Sequence, residues 1–164
     1  MNVTLNIRDK APELDEHLDQ QEMECSDFWF YMESLLQFVN GDITIDFGDG
    51  KIIELDLGYD FFVCHDEIID SVASVSRGDK GYRHIWFCEQ GSDFYLYYET
   101  AGDCVRIEFK KGPEAGYPNR RVDEFSALVD RTSYVEGWRD VFNALSALFD
   151  ERVGAEGKGL IQFS

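Results

Sequence analysis

No Cys-x-x-Cys pair occurs in this chain, and its four cysteines, Cys25, Cys64, Cys88 and Cys104, follow no ligand spacing. Four scattered thiols in 164 residues do not make the disulfide framework of a small secreted domain, and they give zinc ligation no support. Long apolar runs are missing too. None approaches the roughly 20 residues that would span a bilayer, and the opening MNVTLNIRDK lacks the apolar core of a secretory leader. The expectation is a reduced, soluble, cytoplasmic protein. The glycines form neither GxGxxG nor GxxxxGK followed by Ser or Thr, so neither phosphate-cradling loop is present, and no GxSxG marks a nucleophile. An EF-hand loop needs oxygen ligands at alternate positions, and in the DFGDG run two of these are Gly48 and Gly50. No metal and no cofactor is expected. There is no repeat, no low-complexity tract and no dividing linker, so a single domain covering 1–164 is expected.

Positive charge is also scarce: 15 Lys and Arg stand against 33 Asp and Glu, a formal charge of −18. Such a field repels nucleic acid and anionic membrane and speeds encounter with basic partners. Residues 1–80 hold 19 of the acids and five of the bases, whereas residues 81–164 hold 14 and ten. The acidic field therefore belongs mainly to the first half.

What is present is a clear alternation. Ile85 and Phe87, then Phe94, Leu96 and Tyr98, then Val105, Ile107 and Phe109 recur at every second position, the period of a half-buried strand. Gln90-Gly91-Ser92-Asp93 and Ala101-Gly102-Asp103 supply the reversals. Three adjacent antiparallel strands are predicted between Tyr82 and Lys110. Their opposite face carries His84, Trp86, Cys88, Tyr95, Tyr97, Cys104, Arg106 and Glu108. Two readings stand open for it: a second core covered by a loop, or an exposed aromatic patch for a partner.

Around this meander, Val3, Leu5 and Ile7 suggest an opening strand, and the acid-rich stretch 9–27 a solvated loop. A helix is expected from Ser26 or Asp27 as cap, with Phe28, Met32, Leu35, Leu36 and Val39 on one face and Asn40-Gly41 as its end. Next comes a hairpin in which Ile43, Ile45, Phe47, Ile53, Leu55 and Leu57 face inward, while Asp42, Thr44, Asp46, Glu54 and Asp56 form an outer ladder of carboxylates. A second helix places Phe61, His65, Ile68, Val72 and Val75 on one stripe and stops at Gly78. The proline- and glycine-rich Lys111–Arg121 reads as a surface loop, and Val122, Phe125 and Val129 as a further strand. A last helix, capped by Thr132 or Ser133, buries Val135, Trp138, Val141, Phe142, Leu145, Leu148 and Phe149. The closing GAEGKGLIQFS ends in a short apolar group expected to dock as an edge segment. The predicted fold is α+β: a mostly antiparallel sheet of six or seven strands with about three helices packed chiefly on one face.

A small, very acidic chain with reduced cysteines and no catalytic motif, whose middle (Phe61 to Lys110) reads as a helix followed by CEQGSDFYLYYETAGDCVRIEF, resembles in type the immunity proteins of bacterial polymorphic-toxin and contact-dependent inhibition systems. That resemblance implies a cytoplasmic protein that binds one cognate toxin domain, often a basic nuclease, and blocks its active site or substrate groove. The partner surface expected on this reading combines Asp42, Asp46, Glu54 and Asp56 with Trp86, Tyr95 and Tyr97. Charge would set the rate of encounter, and the rings would hold the complex. Two other classes stay open: a small enzyme acting through Cys64/His65 or the hairpin carboxylates, and an adaptor or structural module using the aromatic face.

Overall fold

The alternation of the second half becomes one sheet, and a shorter alternation in the first half becomes another. The structure, a computed structural model, describes residues 1–89 and 91–155. In chain order its elements are β1 (Asn2–Asp9), α1 (Gln20–Met23), α2 (Asp27–Leu36), β2 (Val39–Asp46), β3 (Ile52–Asp56), α3 (His65–Arg77), β4 (Arg83–Phe87), β5 (Phe94–Ala101), β6 (Cys104–Lys111), β7 (Phe125–Asp130) and α4 (Arg131–Val153). The fold is α+β, and every strand pairing is antiparallel. Seven strands divide into two sheets, ordered β1-β2-β3 and β4-β5-β6-β7, where the sequence had suggested one. A π-helical turn, Leu57–Phe61, and α3 separate β3 from β4 and carry the chain from the first sheet to the second.

The meander has the expected register: Ile85 lies opposite Leu96, Phe87 opposite Phe94, and Leu96 opposite Phe109. All its inward residues are buried. Gly102, with φ of 65°, turns β5 into β6. In the first sheet Ile43, Ile45, Ile53 and Leu55 are buried from the same alternation. The inward faces of both sheets and one stripe each of α2, α3 and α4 share a single core. Within it Phe61 stacks on Trp138, ring centroids 6.4 Å apart, and packs at a tilt against Phe142 at 5.2 Å. Removing each such side chain from water contributes about 1.5–3 kcal/mol.

Several boundaries differ from the sequence reading. Ser26 does cap α2, accepting from the Trp29 amide at 3.2 Å. The helix ends at Leu36, however, and Val39, Asn40 and Gly41 already belong to β2. Gly41 is not a turn glycine. A Cβ there would stand 2.7 Å from Leu57 Cδ2 and 2.9 Å from the Asn6 carbonyl oxygen, so the strand needs glycine for close approach. The cap of α4 is Asp130, whose carboxylate accepts from the Ser133 amide at 2.9 Å, in place of Thr132 or Ser133. Within the acid-rich stretch 9–27 lies the one short turn of α1. Gln90 and the apolar group at 160–163 fall outside the described residues.

Two buried polar side chains tie the sheets together. Asn119, 3% exposed, comes from the loop after β6 and meets the backbone of Glu54 in β3. Its Oδ1 accepts from the Glu54 amide at 3.0 Å, and its Nδ2 donates to the Glu54 carbonyl at 2.6 Å. The amide thus mimics a strand residue at the free edge of β3. Asp60, in the π-helical turn, accepts from the Asp56 amide at 2.9 Å through Oδ2 and from the Ser92 hydroxyl through Oδ1, which links the first sheet to the β4–β5 turn. Burial raises its carboxyl above the ordinary range, against the lowering effect of these two hydrogen bonds.

Candidate partner-binding face

The outer face of the four-stranded sheet is open to solvent and not a second core. Strand alternation brings Trp86 opposite Tyr95 and His84 opposite Tyr97. The Trp86 and Tyr95 rings are parallel within 4°, their centroids 5.6 Å apart. Tyr95 continues to Tyr97 at 5.8 Å, and His84 packs against both. Tyr82, just ahead of β4, stacks on Tyr97 at 5.0 Å and 9°. A row of five rings results, in which Tyr82 is 55% and Trp86 48% exposed. Each polar tip in the row that carries a hydrogen bond among the described residues finds a carboxylate: the Tyr82 hydroxyl donates to Glu108 at 3.1 Å, and Trp86 Nε1–H to Asp93 at 3.3 Å. Desolvation, then the Glu108 bond, raises the Tyr82 phenol above its ordinary value, and desolvation with Asp93 does the same for Tyr95. Both phenols stay neutral donors near neutral pH. The cations of this face, Arg106 and Lys110, are paired with Glu99 and Glu124.

Trp86, Tyr95 and Tyr97 are therefore brought together as expected. The hairpin acids belong to the other sheet, and most of them have local partners. Asp42 holds Arg8 and accepts from Asn6 at 2.7 Å, and these contacts lower its carboxyl pKa against the opposing effect of desolvation. Asp46 accepts from the Gly48 amide at 2.8 Å. Asp56 caps the π-helical turn through the amides of Gly58 and Tyr59. The Glu54 carboxylate alone of the four has no hydrogen bond or ion pair among the described residues. Sequence alternation had marked these residues as outward; it carries no information about the short-range amides they satisfy.

Cys64 and His65 adjoin in the chain and are both buried, with His65 Nε2 3.4 Å from Asp66 Oδ1. The Cys64 thiol donates to the Trp86 carbonyl at 3.4 Å, and burial with surrounding acids pushes its pKa up to about 12, far from the thiolate range. His65 Nδ1–H donates to the Phe62 carbonyl at 2.7 Å while its ring stacks on Phe28 at 4.4 Å. Among the described residues no three His, Cys, Asp or Glu side chains are grouped to hold a metal ion, and no helix is long and apolar enough to cross a membrane.

Two concavities matter. One, of about 600 Å³, lies between α2, the start of β2 and the π-helical turn, lined by Arg8, Lys10, Trp29, Glu33 and Tyr59 among others. Its cations are already engaged, Arg8 by Asp42 and Lys10 by Glu13 at 2.8 Å. The other, of about 510 Å³, opens at the end of the aromatic row between the β4–β5 turn and the loop after β6, where Trp86 and Tyr95 meet Glu89, Asp93 and Glu114. Sequence reasoning missed Tyr82, whose place two residues before His84 continues the outward alternation. It also missed this acidic rim, assembled from two loops about 20 residues apart.

An α+β chain in which the outer face of the four-stranded sheet is an aromatic row with carboxylates at its tips is what the geometry defines. Comparison with protein-family models, characterised proteins and solved structures gave no match.

Proposed function

We propose that this chain is a binding protein for a basic protein domain, of the immunity-protein type, which engages its target through the outer face of the four-stranded sheet. The observation that carries this reading is the contiguous row Tyr82, His84, Trp86, Tyr95 and Tyr97 on a hydrogen-bonded sheet, exposed at its first three members and half-buried at Tyr95 and Tyr97, in a chain of formal charge −18. Aromatic rings on a rigid backbone lose little conformational freedom on binding and dominate the energetics of protein interfaces. The acids supply long-range attraction toward a cationic surface and repel anionic competitors. The hairpin carboxylates take part as field, since most are committed to local hydrogen bonds. Charge and rings thus act on different steps of association.

The test is a kinetic one, made across a salt series with a basic protein domain recovered as a binder of this chain. Glu54→Gln/Asp49→Asn neutralises two exposed hairpin acids; it is expected to slow association and flatten its salt dependence while leaving dissociation nearly unchanged. Trp86→Ala is expected to raise the dissociation rate about 30-fold, the equivalent of a hot spot of about 2 kcal/mol. Unchanged dissociation for both Trp86→Ala and Tyr97→Ala would assign binding to another face. Failure to find any basic partner would remove the reading itself.

A further inference from the structure

We infer that the groove at the end of the aromatic row is a seat for one arginine side chain of the partner, an assignment that rests on the proposed function and sharpens it. Trp86 and Tyr95 present parallel rings to this groove, and Glu89, Asp93 and Glu114 rim it. Asp93 is fixed in place. Its Oδ1 accepts from Trp86 Nε1–H and its Oδ2 from the Glu114 amide at 2.9 Å, and the loop passes so close that a Cβ at Gly112 would overlap the Asp93 carboxylate. Among the described residues no hydrogen bond or ion pair engages the Glu89 or Glu114 carboxylate.

The chemistry of these walls selects the occupant. An indole face attracts a cation, and a guanidinium, being flat and weakly hydrated, can lie on the ring while its N–H groups point outward in its own plane. Asp93 stands at the indole edge, where its Oδ1 accepts from Nε1–H, and Glu89 and Glu114 are among the residues that line the same groove. An ammonium is a compact, strongly hydrated point charge and uses the ring less well. An anionic or neutral group would meet three carboxylates with no cation among the groove's lining residues. Lys110, opposite Tyr95 in the sheet, is turned to Glu124.

The full-length, isotope-labelled chain is titrated with N-acetyl-arginine amide, its neutral citrulline counterpart and N-acetyl-lysine amide, with the Trp86 indole N–H and the Glu114 amide followed by NMR. The arginine probe is expected to move both signals saturably, with citrulline at least about 10-fold weaker and lysine between them. Glu89→Gln/Glu114→Gln, which leaves the ring and Asp93 in place, is expected to weaken arginine about 10-fold, and Trp86→Ala to abolish saturation. Equal affinity for arginine and citrulline would overturn the seat. So would arginine shifts spread evenly over the β2–β3 carboxylates with no saturation at the groove. The probe needs no protein partner, so the two readings separate: a partner lost on Trp86→Ala, with the arginine probe indifferent, overturns the seat alone, whereas a saturable seat with no basic protein partner sustains the seat and removes the proposed function.

Discussion

Asn119 offers the sharpest test of how the two sheets are joined. Its amide accepts from the Glu54 N–H and donates to the Glu54 carbonyl, so Asn119→Ala removes two hydrogen bonds and leaves both backbone groups at an uncovered strand edge. A typical net loss is about 1 kcal/mol per bond, more if the orphaned group stays dry. Glu54 is exposed while Asn119 is buried and the two bonds are half-buried, so we expect a loss of about 1–3 kcal/mol. Asn119→Asp is the more informative change. One carboxylate oxygen still accepts from the Glu54 amide, but the other stands 2.6 Å from the Glu54 carbonyl, in the place of the donor. At neutral pH the aspartate should therefore be worse than the alanine, by about 1 kcal/mol or more. Protonation restores a donor. The folded state then holds its proton more tightly than the unfolded chain, its pKa is raised, and the variant regains stability as pH falls from neutrality toward about 4. The assay is urea unfolding of parent and both variants across that range, with midpoints compared at constant slope. Variants within about 0.5 kcal/mol of the parent, or an aspartate deficit that does not shrink with acid, would refute the argument.

Leu145 is fully buried on the inner stripe of α4, and Leu145→Ala should cost about 2–5 kcal/mol in the same urea assay; a shift below about 0.5 kcal/mol would mean the stripe is not packed. Burial raises the Asp60 carboxyl, so the native state holds that proton to higher pH than the unfolded chain, and its contribution to stability falls as pH rises from about 3.8 through the raised value. Asn lacks this titration, so Asp60→Asn should gain on the parent as pH rises through that window. A stability difference flat across it would place Asp60 in a more polar site than its contacts indicate.

Where a strand has one wet and one dry face, its sequence announces both. That is why the inward set from Ile85 to Phe109 and the outward strand residues Trp86, Tyr95 and Tyr97 were legible, while Tyr82, just ahead of β4, was not. Alternation assigns a residue to a face without saying what covers it, so exposure of the aromatic row had to come from the structure. Asn40-Gly41 misled because glycine serves two ends: it permits turns, and it lets two chains approach closely. Only the positions of Leu57 and Asn6 reveal which applies. Asp60 and Asn119 left no local trace, since their partners Ser92 and Glu54 are 32 and 65 residues away. The groove beside Trp86 escaped for the same reason, being closed by Glu114 from a separate loop.

The packing of α4 on β1 bears on how the chain is made. Gly137 lets the helix lie so close that a Cβ there would be 2.9 Å from Val3 Cγ2, Arg152 pairs with Asp9 at 2.9 Å, and the Met1 amino group donates to Ser133 at 3.3 Å. Synthesis runs from β1 toward α4, so the first strand must wait for more than a hundred residues before the helix that seals it leaves the ribosome. Closing so long a loop is slow, and meanwhile the side of β1 that α4 covers is bare to neighbouring nascent chains. Those same first 80 residues carry 19 acids and five bases. Like charge on unfinished copies opposes their association, so the concentration of acid in the first half bears on contact between nascent chains as well as on any partner.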